Sequence, residues 1–404
     1  MFDKVISTKL DTWINRIRTE MNLPVRVTLR TGNSYDLGQF DTPKVQLRVN
    51  DMKAIAAFLN PSLDSLGEAY VQQSVDIDGK IADIVDMAYK LSSLSGGEPG
   101  FAAKVFKRFS HTRKEDKESI QYHYDVSNDF YQLWLDKRMV YSCGYFEDGS
   151  ETLDAAQEKK IDHILSKIRL QRGQTLLDIG CGWGALVIRA AQRFQARCMG
   201  VTLSEKQYEM ARQRVIDAGL SDLVEIRLQD YRDVRGTFNR ITSVGMFEHV
   251  GRDNLQQYFE VIHTLLADDG VAMNHGITST APDSGDSPMG GGSFIDKYVF
   301  PAGELPHLSL ALRAMQSGGL EALDVENLRR HYVKTLENWT ERFEAHSERI
   351  RKMVGESRYR IWRVYLAGSA QAFSLDNVSI YQIVCQKSQR PAGTIPWSRR
   401  YMYR

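Results

Sequence analysis

Residues 176–191, "LLDIGCGWGALVIRAA", decide the fold. The apolar run "TLLDIG" reads as a short strand, and "ALVIRAAQRF" reads as an amphipathic helix. Gly180, Gly182 and Gly184 stand where one becomes the other. Glycines at such a junction let the backbone turn tightly and approach a ligand, which then meets the N–H groups of a helix N-terminus. Asp178 precedes them, and the spacing is GxGxG rather than GxGxxG. A glycine triplet alone says little; its place between strand and helix makes it a candidate cofactor turn.

Outward from this turn, strands and helices alternate. "ARCMGVT" (196–202), "LVEIRLQD" (223–230), "FNRITSVG" (238–245) and "GVAMNHGIT" (270–278) read as strands, and "VSIYQIVCQKS" (378–388) as the last one. "SEKQYEMARQRVIDAGL" (204–220) reads as a helix. Strands alternating with helices of this length predict βαβ units and a parallel sheet. Ligands in such a sheet sit beyond the carboxyl ends of the strands. A nicotinamide site would ordinarily place an acid at the end of the second strand, but this one ends "VTLS" (201–204). Thr202, Leu203 and Gln207 must then make those contacts, and Gln229 and Tyr231 of "QDYRD" suit the polar edge and face of an adenine. Two further strand ends bring Glu248 of "GMFEHVG" and His275 of "NHGIT" to the same crevice, a candidate catalytic pair.

The chain has 404 residues, a charged fraction of 25% and a net charge of +1, ordinary for a globular protein and without a global bias toward acidic partners. Its four cysteines, Cys143, Cys181, Cys198 and Cys385, form no CxxC pair, which argues against a disulfide framework or a zinc site. No apolar run is long enough for a membrane span, and the N-terminus lacks the apolar core of a signal peptide. Residues 1–95 alternate strand-like pieces ("LPVRVTLR", "KVQLRVN") with helix-like ones ("SLDSLGEAYV") and predict a small α+β domain, with a lipid, membrane or dimer role. Residues 96–120 form a linker whose "KVFKRFSHTRK" (104–114) mixes bases with aromatics and holds no acid. Such composition suits an anionic membrane surface, a nucleic acid or a solvated linker. The tail "RPAGTIPWSRRYMYR" (390–404) has the same character. Residues 121–404 form the third block. Its first part, "YHYDVSNDFYQLWLDKRMVYSCGYF", is dense in aromatics, as a lid or a packed helix pair would be, and encloses Cys143.

"HYDVSNDFY", "VYSCGYF", "LLDIGCGWG", "MGVTLS", "LQDYRD", "VGMFEHVG" and "HYVKTLENWTERF" together resemble the cyclopropane-fatty-acyl-phospholipid synthase family, which includes the mycolic acid cyclopropane synthases. The resemblance spans about 270 residues from 121 onward, and the first 95 look like the N-terminal domain of the longer members. It implies a Rossmann-like class I methyltransferase domain of α/β class behind a smaller N-terminal α+β domain. It implies S-adenosyl-L-methionine at Tyr141, Ser142, Gly180, Gly182, Thr202, Leu203, Gln207 and Tyr231. It implies bicarbonate as the base, lined by Cys143, Glu248, His275, Tyr332 and the backbone at Val244. Cys143 is then an anion ligand with no nucleophilic role; a small buried thiol is the plainer alternative. The expected activity is methylene transfer to a cis double bond of an unsaturated phospholipid acyl chain, giving a cyclopropane. A methyl- or methylene-branching activity and a non-catalytic lipid-binding protein are the alternatives. The expected partner is a membrane phospholipid met from the cytoplasmic side, with a homodimer possible and no nucleic acid. The glycine-rich loop "TSTAPDSGDSPMGGGS" (278–293) leaves the choice of ring or branch open.

Overall fold

The computed structural model of the chain describes residues 2–51, 54–94, 126–282, 292–300, 303–389 and 395–403, with side chains from residue 11 onward. The basic stretch 104–114 and the centre of the glycine-rich loop lie outside the described residues. The chain divides into two compact units.

The first unit opens with α1 (Phe2–Glu20), β1 (Val25–Leu29), β2 (Ser34–Asp36), β3 (Val45–Val49), α2 (Ile55–Leu59), α3 (Leu63–Val71), β4 (Val75–Gly79) and α4 (Ile81–Ser93). Its sheet runs β2-β1-β3-β4. In β3, Val45, Leu47 and Val49 are buried while Gln46 and Arg48 face solvent, the alternation of a sheet covered on one side. Helix α1 has no counterpart in the predicted elements. Its Trp13, Ile14 and Ile17 nevertheless join the core of this unit.

The unit is not one continuous stretch of chain. It also takes in the helix Gly292–Tyr298 and the helical region 347–371. The buried Arg360 explains the latter. Its guanidinium pairs with Asp76 at 2.6 Å and Glu356 at 2.6 Å, and donates to the carbonyls of Tyr70 and Val75 at 2.9 and 3.0 Å. Five donors in a planar fork suit such a site; a lysine could not fill it.

The second unit holds α5 (Asn128–Gln132), α6 (Leu153–Lys167), β5 (Thr175–Ile179), α7 (Ala185–Phe194), β6 (Arg197–Thr202), α8 (Glu205–Asp217), β7 (Val224–Leu228), β8 (Phe238–Val244), α9 (Leu255–Leu265), β9 (Leu266–Ser279), α10 (Leu308–Ser317), β10 (Leu320–Asn327), α11 (Arg329–Ala345) and β11 (Val378–Lys387). The sheet order is β10-β11-β9-β8-β5-β6-β7. The five strands from β9 to β7 pair in parallel; β11 alone runs the opposite way, antiparallel to both β9 and β10. Leu176 and Leu177, adjacent on β5, are both fully buried and pack into different clusters, as expected for a central strand covered on both faces. The order reverses between β5 and β8, so the switch point lies beyond β5, at the glycine turn.

Two features depart from the predicted pattern. The strand β10, "LEALDVEN", is absent from it: a bulge at Ala322–Asp324 breaks the period of two, and its buried Asp324 is an ion-pair partner rather than an apolar one. In the tail, Arg399–Tyr403 forms a short 3₁₀ turn held against α6. There Met402 is buried and its carbonyl meets His163 Nδ1 at 3.0 Å, while Arg399 pairs with Asp324. Trp397 remains wholly exposed.

Candidate active site

The glycine turn is built as its residue types require. Gly180, Gly182 and Gly184 all have positive φ (76°, 54° and 81°), which side chains with a Cβ adopt at a cost. A Cβ at Gly180 would lie 2.9 Å from Met246 Cγ, whereas one at Gly182 would project into open space. A cavity is lined by Tyr141, Ser142, Asp178, Gly180, Gly182, Thr202, Leu203, Gln207, Gln229, Tyr231 and Val244, so one crevice gathers ten of the eleven expected cofactor residues together with Val244. Gly184 is the exception: it caps α7 and faces Ala211, which leaves it the turn itself.

Hydrogen bonds fix the polar wall. Thr202 Oγ1 donates to Gln207 Oε1 at 2.8 Å and accepts from Ser204 N at 3.2 Å. Asp178 accepts from Thr242 Oγ1 at 2.7 Å, and burial pushes its carboxyl up to about 7. The aromatic block forms a wall beside the cavity. Tyr141 lies 5.7 Å from Tyr131, 5.4 Å from Trp134 and 5.2 Å from Trp339, ring to ring. Trp183 joins Tyr131 at 5.2 Å and donates to Asn128 Oδ1.

Cys143, Glu248, His275 and Tyr332 do not line this cavity; they are buried alongside it. His275 is opposite Val244 on β8 and opposite Gln382 on β11. Glu248 sits on the 3₁₀ turn after β8, and its Oε1 accepts from Ile277 N at 2.7 Å. A Cβ on Gly276 would fall 1.9 Å from the Phe247 ring, so the absence of a side chain there lets the Glu248 turn close onto β9. Leu328 links the other two: its carbonyl accepts from Tyr332 N at 3.0 Å and from the Cys143 thiol at 3.7 Å. Its N–H donates to Ile380 O at 2.9 Å, on the strand paired with β9.

Burial sets the charges here. It holds the His275 imidazole neutral, well below its ordinary range, and raises the Cys143 thiol so that it stays protonated. It lifts the Glu248 carboxyl to about 7. Among the described residues, Glu248 Oε2 and both ring nitrogens of His275 have no hydrogen-bond partner, a costly arrangement unless a ligand completes it.

The raised carboxyl yields a stability prediction. In the unfolded chain Glu248 titrates at about 4.5. Its neutral form therefore favours the fold fully below that value, and the contribution is lost as pH rises toward about 7. Glu248→Gln should exceed the wild type in stability at about pH 8, and the gap should close toward about pH 5. Urea unfolding at both values checks this; an equal gap at both would contradict it.

Two residues of the site escape sequence patterns. Lys160 lines the cavity and donates to Ser142 Oγ at 2.8 Å. Gln382 is fully buried opposite His275, with neither amide atom partnered among the described residues. A signal for the first exists: Leu153, Gln157, Lys160, Ile164 and Lys167 form one helical stripe of α6, and three polar residues in a buried stripe ask for partners.

A Rossmann-type sheet, a glycine turn at its switch point and a crevice beyond the ends of β5, β6 and β7 suit a nucleoside-bearing cofactor, and the matches that follow make the class an S-adenosylmethionine-dependent methyltransferase. A sequence model described as mycolic acid cyclopropane synthetase matches residues 111–383, and the chain belongs to that family. A second model, described as a domain of unknown function, matches residues 12–95. A probable fatty acid methyltransferase of Pseudomonas putida is 43% identical over 95% of this chain and 97% of its own. The cyclopropane-fatty-acyl-phospholipid synthase of Escherichia coli is 38% identical over 65% of this chain and 66% of its own. A crystal structure of a mycolic acid cyclopropane synthase complexed with SAH and CTAB aligns with a TM-score of 0.64 at 34% identity, covering 67% of this chain and 98% of that one.

Proposed function

We propose that the enzyme transfers a methylene group from S-adenosylmethionine to a cis double bond in an acyl chain of a membrane phospholipid, closing a cyclopropane ring. The observation that carries this is the buried set His275, Glu248 and Cys143 beside the cofactor cavity, with unpartnered polar atoms on His275 and Glu248. When bound, S-adenosylmethionine supplies an electrophilic methyl group and bicarbonate a small base. The residues fit bicarbonate, which offers acceptors and one O–H: neutral His275 has one donor and one acceptor, Glu248 at about 7 can serve as either, and the Cys143 sulfur, whose S–H points to the Gly144 and Leu328 carbonyls, is a weak acceptor. Tyr332 and the backbone at Val244 complete the set we assign to it.

An isolated alkene is a weak nucleophile, and its alkylation leaves a carbocation that water would quench. The wall of Tyr131, Trp134, Tyr141, Trp183 and Trp339 excludes water. Each ring face near the cation stabilises it by about 2 kcal/mol when desolvated. The relative from Pseudomonas putida, named a probable fatty acid methyltransferase, leaves a second reading in which the acceptor is a fatty acid and the transferred carbon stays a methyl or methylene branch. The expected dock is an anionic membrane surface, with the exposed Trp397 and Arg400 as candidate anchors. No helix among the described residues is long and apolar enough to cross a membrane.

A thiol held protonated by burial is not a nucleophile. Cys143→Ser should therefore keep turnover within about tenfold of wild type, since a hydroxyl of similar size can make the same contacts to the Gly144 and Leu328 carbonyls. No adduct should form on Cys143; mass spectrometry during turnover would reveal a methyl or acyl adduct and overturn the role. For bicarbonate the test is depletion: turnover should fall in bicarbonate-free buffer and return on its addition. Turnover indifferent to both would remove bicarbonate from the account.

A further inference from the structure

Lys160 is 2% exposed, yet it lines the cofactor cavity. An ammonium carries three donors and no acceptor. One N–H of Lys160 donates to Ser142 Oγ; no second acceptor holds it among the described residues. The nearest carboxylates are otherwise engaged. Asp136 accepts the backbone N–H groups of Val140 and Arg138 at 2.7 and 2.9 Å, and Asp178 accepts from Thr242. Burial raises both carboxyls and lowers the Lys160 ammonium to about 8. A buried cation with unused donors at a cavity wall is costly unless an anion from the cavity meets it.

Ser142 is arranged for the same ligand. Gln157 Nε2 donates to its carbonyl at 2.8 Å and fixes the backbone. Its hydroxyl accepts from Lys160, so its own O–H must donate elsewhere, and no acceptor for it exists among the described residues. Strand order says which part of the cofactor arrives here. Gln229 and Tyr231 follow β7, Thr202 and Leu203 follow β6, and Lys160 and Ser142 lie by β5, where Asp178 is an electrostatic neighbour of Lys160. With adenine at the β7 end and ribose over β6, the amino-acid end of S-adenosylmethionine reaches β5. Its one anionic group is a carboxylate.

We infer that Lys160 and Ser142 receive the carboxylate at the amino-acid end of the cofactor, Lys160 by its charge and by turning the Ser142 hydroxyl into a donor. This rests on the S-adenosylmethionine assignment and is independent of bicarbonate and of the lipid. Calorimetric binding of S-adenosylhomocysteine and of 5′-methylthioadenosine, which lacks the amino acid, tests it. Lys160→Met should weaken S-adenosylhomocysteine binding by about tenfold or more and leave 5′-methylthioadenosine within about twofold, because only a charge-assisted contact to the carboxylate is lost. Ser142→Ala should discriminate the two nucleosides in the same direction. Equal weakening of both ligands, or weakening of neither, would overturn the inference. If Lys160→Met does not fold, the wild-type lysine carries the test by NMR: its pKa should rise with S-adenosylhomocysteine and not with 5′-methylthioadenosine, and an equal response to both would overturn it. A wild type that binds neither nucleoside would refute the cofactor assignment itself, and this inference with it.

Discussion

His275→Ala should lower methyl-group transfer by about a thousandfold or more while S-adenosylhomocysteine affinity stays within about twofold, the range expected when a group that handles protons or holds the base is lost. The asymmetry follows from position. His275 is buried in register with Val244, a cavity residue, but does not itself line the cofactor cavity. Its imidazole is neutral and carries two nitrogens without partners among the described residues, so on the proposed function its removal deletes a donor and an acceptor for the base. Unchanged nucleoside binding would also establish that the variant is folded. Transfer within about tenfold of wild type would mean that the buried set does not take part in the chemistry.

Gly182→Val should abolish cofactor binding, with a loss of at least about a hundredfold in S-adenosylhomocysteine affinity. Two effects add. The residue has φ of 54°, which a β-branched side chain resists. Gly182 lines the cavity and no neighbouring atom confines its Cβ position, so an isopropyl group there is expected to crowd the ligand. The fold should survive, because no neighbouring protein atom stands within 4 Å of that Cβ. Calorimetry and the circular dichroism spectrum together check it; wild-type affinity would place the cofactor elsewhere.

The parts of the site legible in the sequence are those where local chemistry and position coincide. The glycine turn, Asp178 and the strand-end residues Thr202, Gln229 and Tyr231 follow from strand–helix alternation, since a parallel sheet sends such residues to one edge; His275 lies inside β9 and Glu248 on the turn after β8, so both are buried off the cavity that alternation alone assigned them to. Cys143 and Tyr332 needed more. Each is placed through Leu328, a residue with no chemical signal, which ties the aromatic segment and the start of α11 to β11. Lys160 and Gln382 were hidden because a polar residue in a helix or a strand reads as solvated until its neighbours in space are known. Arg360 was hidden for the same reason: its partners, Asp76, Tyr70 and Val75, lie more than 280 residues away in sequence. The edge strand β10 was hidden because ion pairs, not apolar contacts, bury Asp324.

The central claim is ring formation on a phospholipid acyl chain, and the fate of the methyl hydrogens tests it. The enzyme would be incubated with S-adenosylmethionine bearing a trideuterated methyl group and with vesicles of a cis-unsaturated phospholipid. The acyl chains would then be released as methyl esters and analysed by gas chromatography and mass spectrometry. Ring closure removes one hydrogen from the transferred carbon, so the account predicts a cyclopropane chain, resistant to hydrogenation of alkenes, that keeps two of the three deuteriums. A chain bearing an intact trideuteromethyl branch, or label absent from the phospholipid, would contradict it.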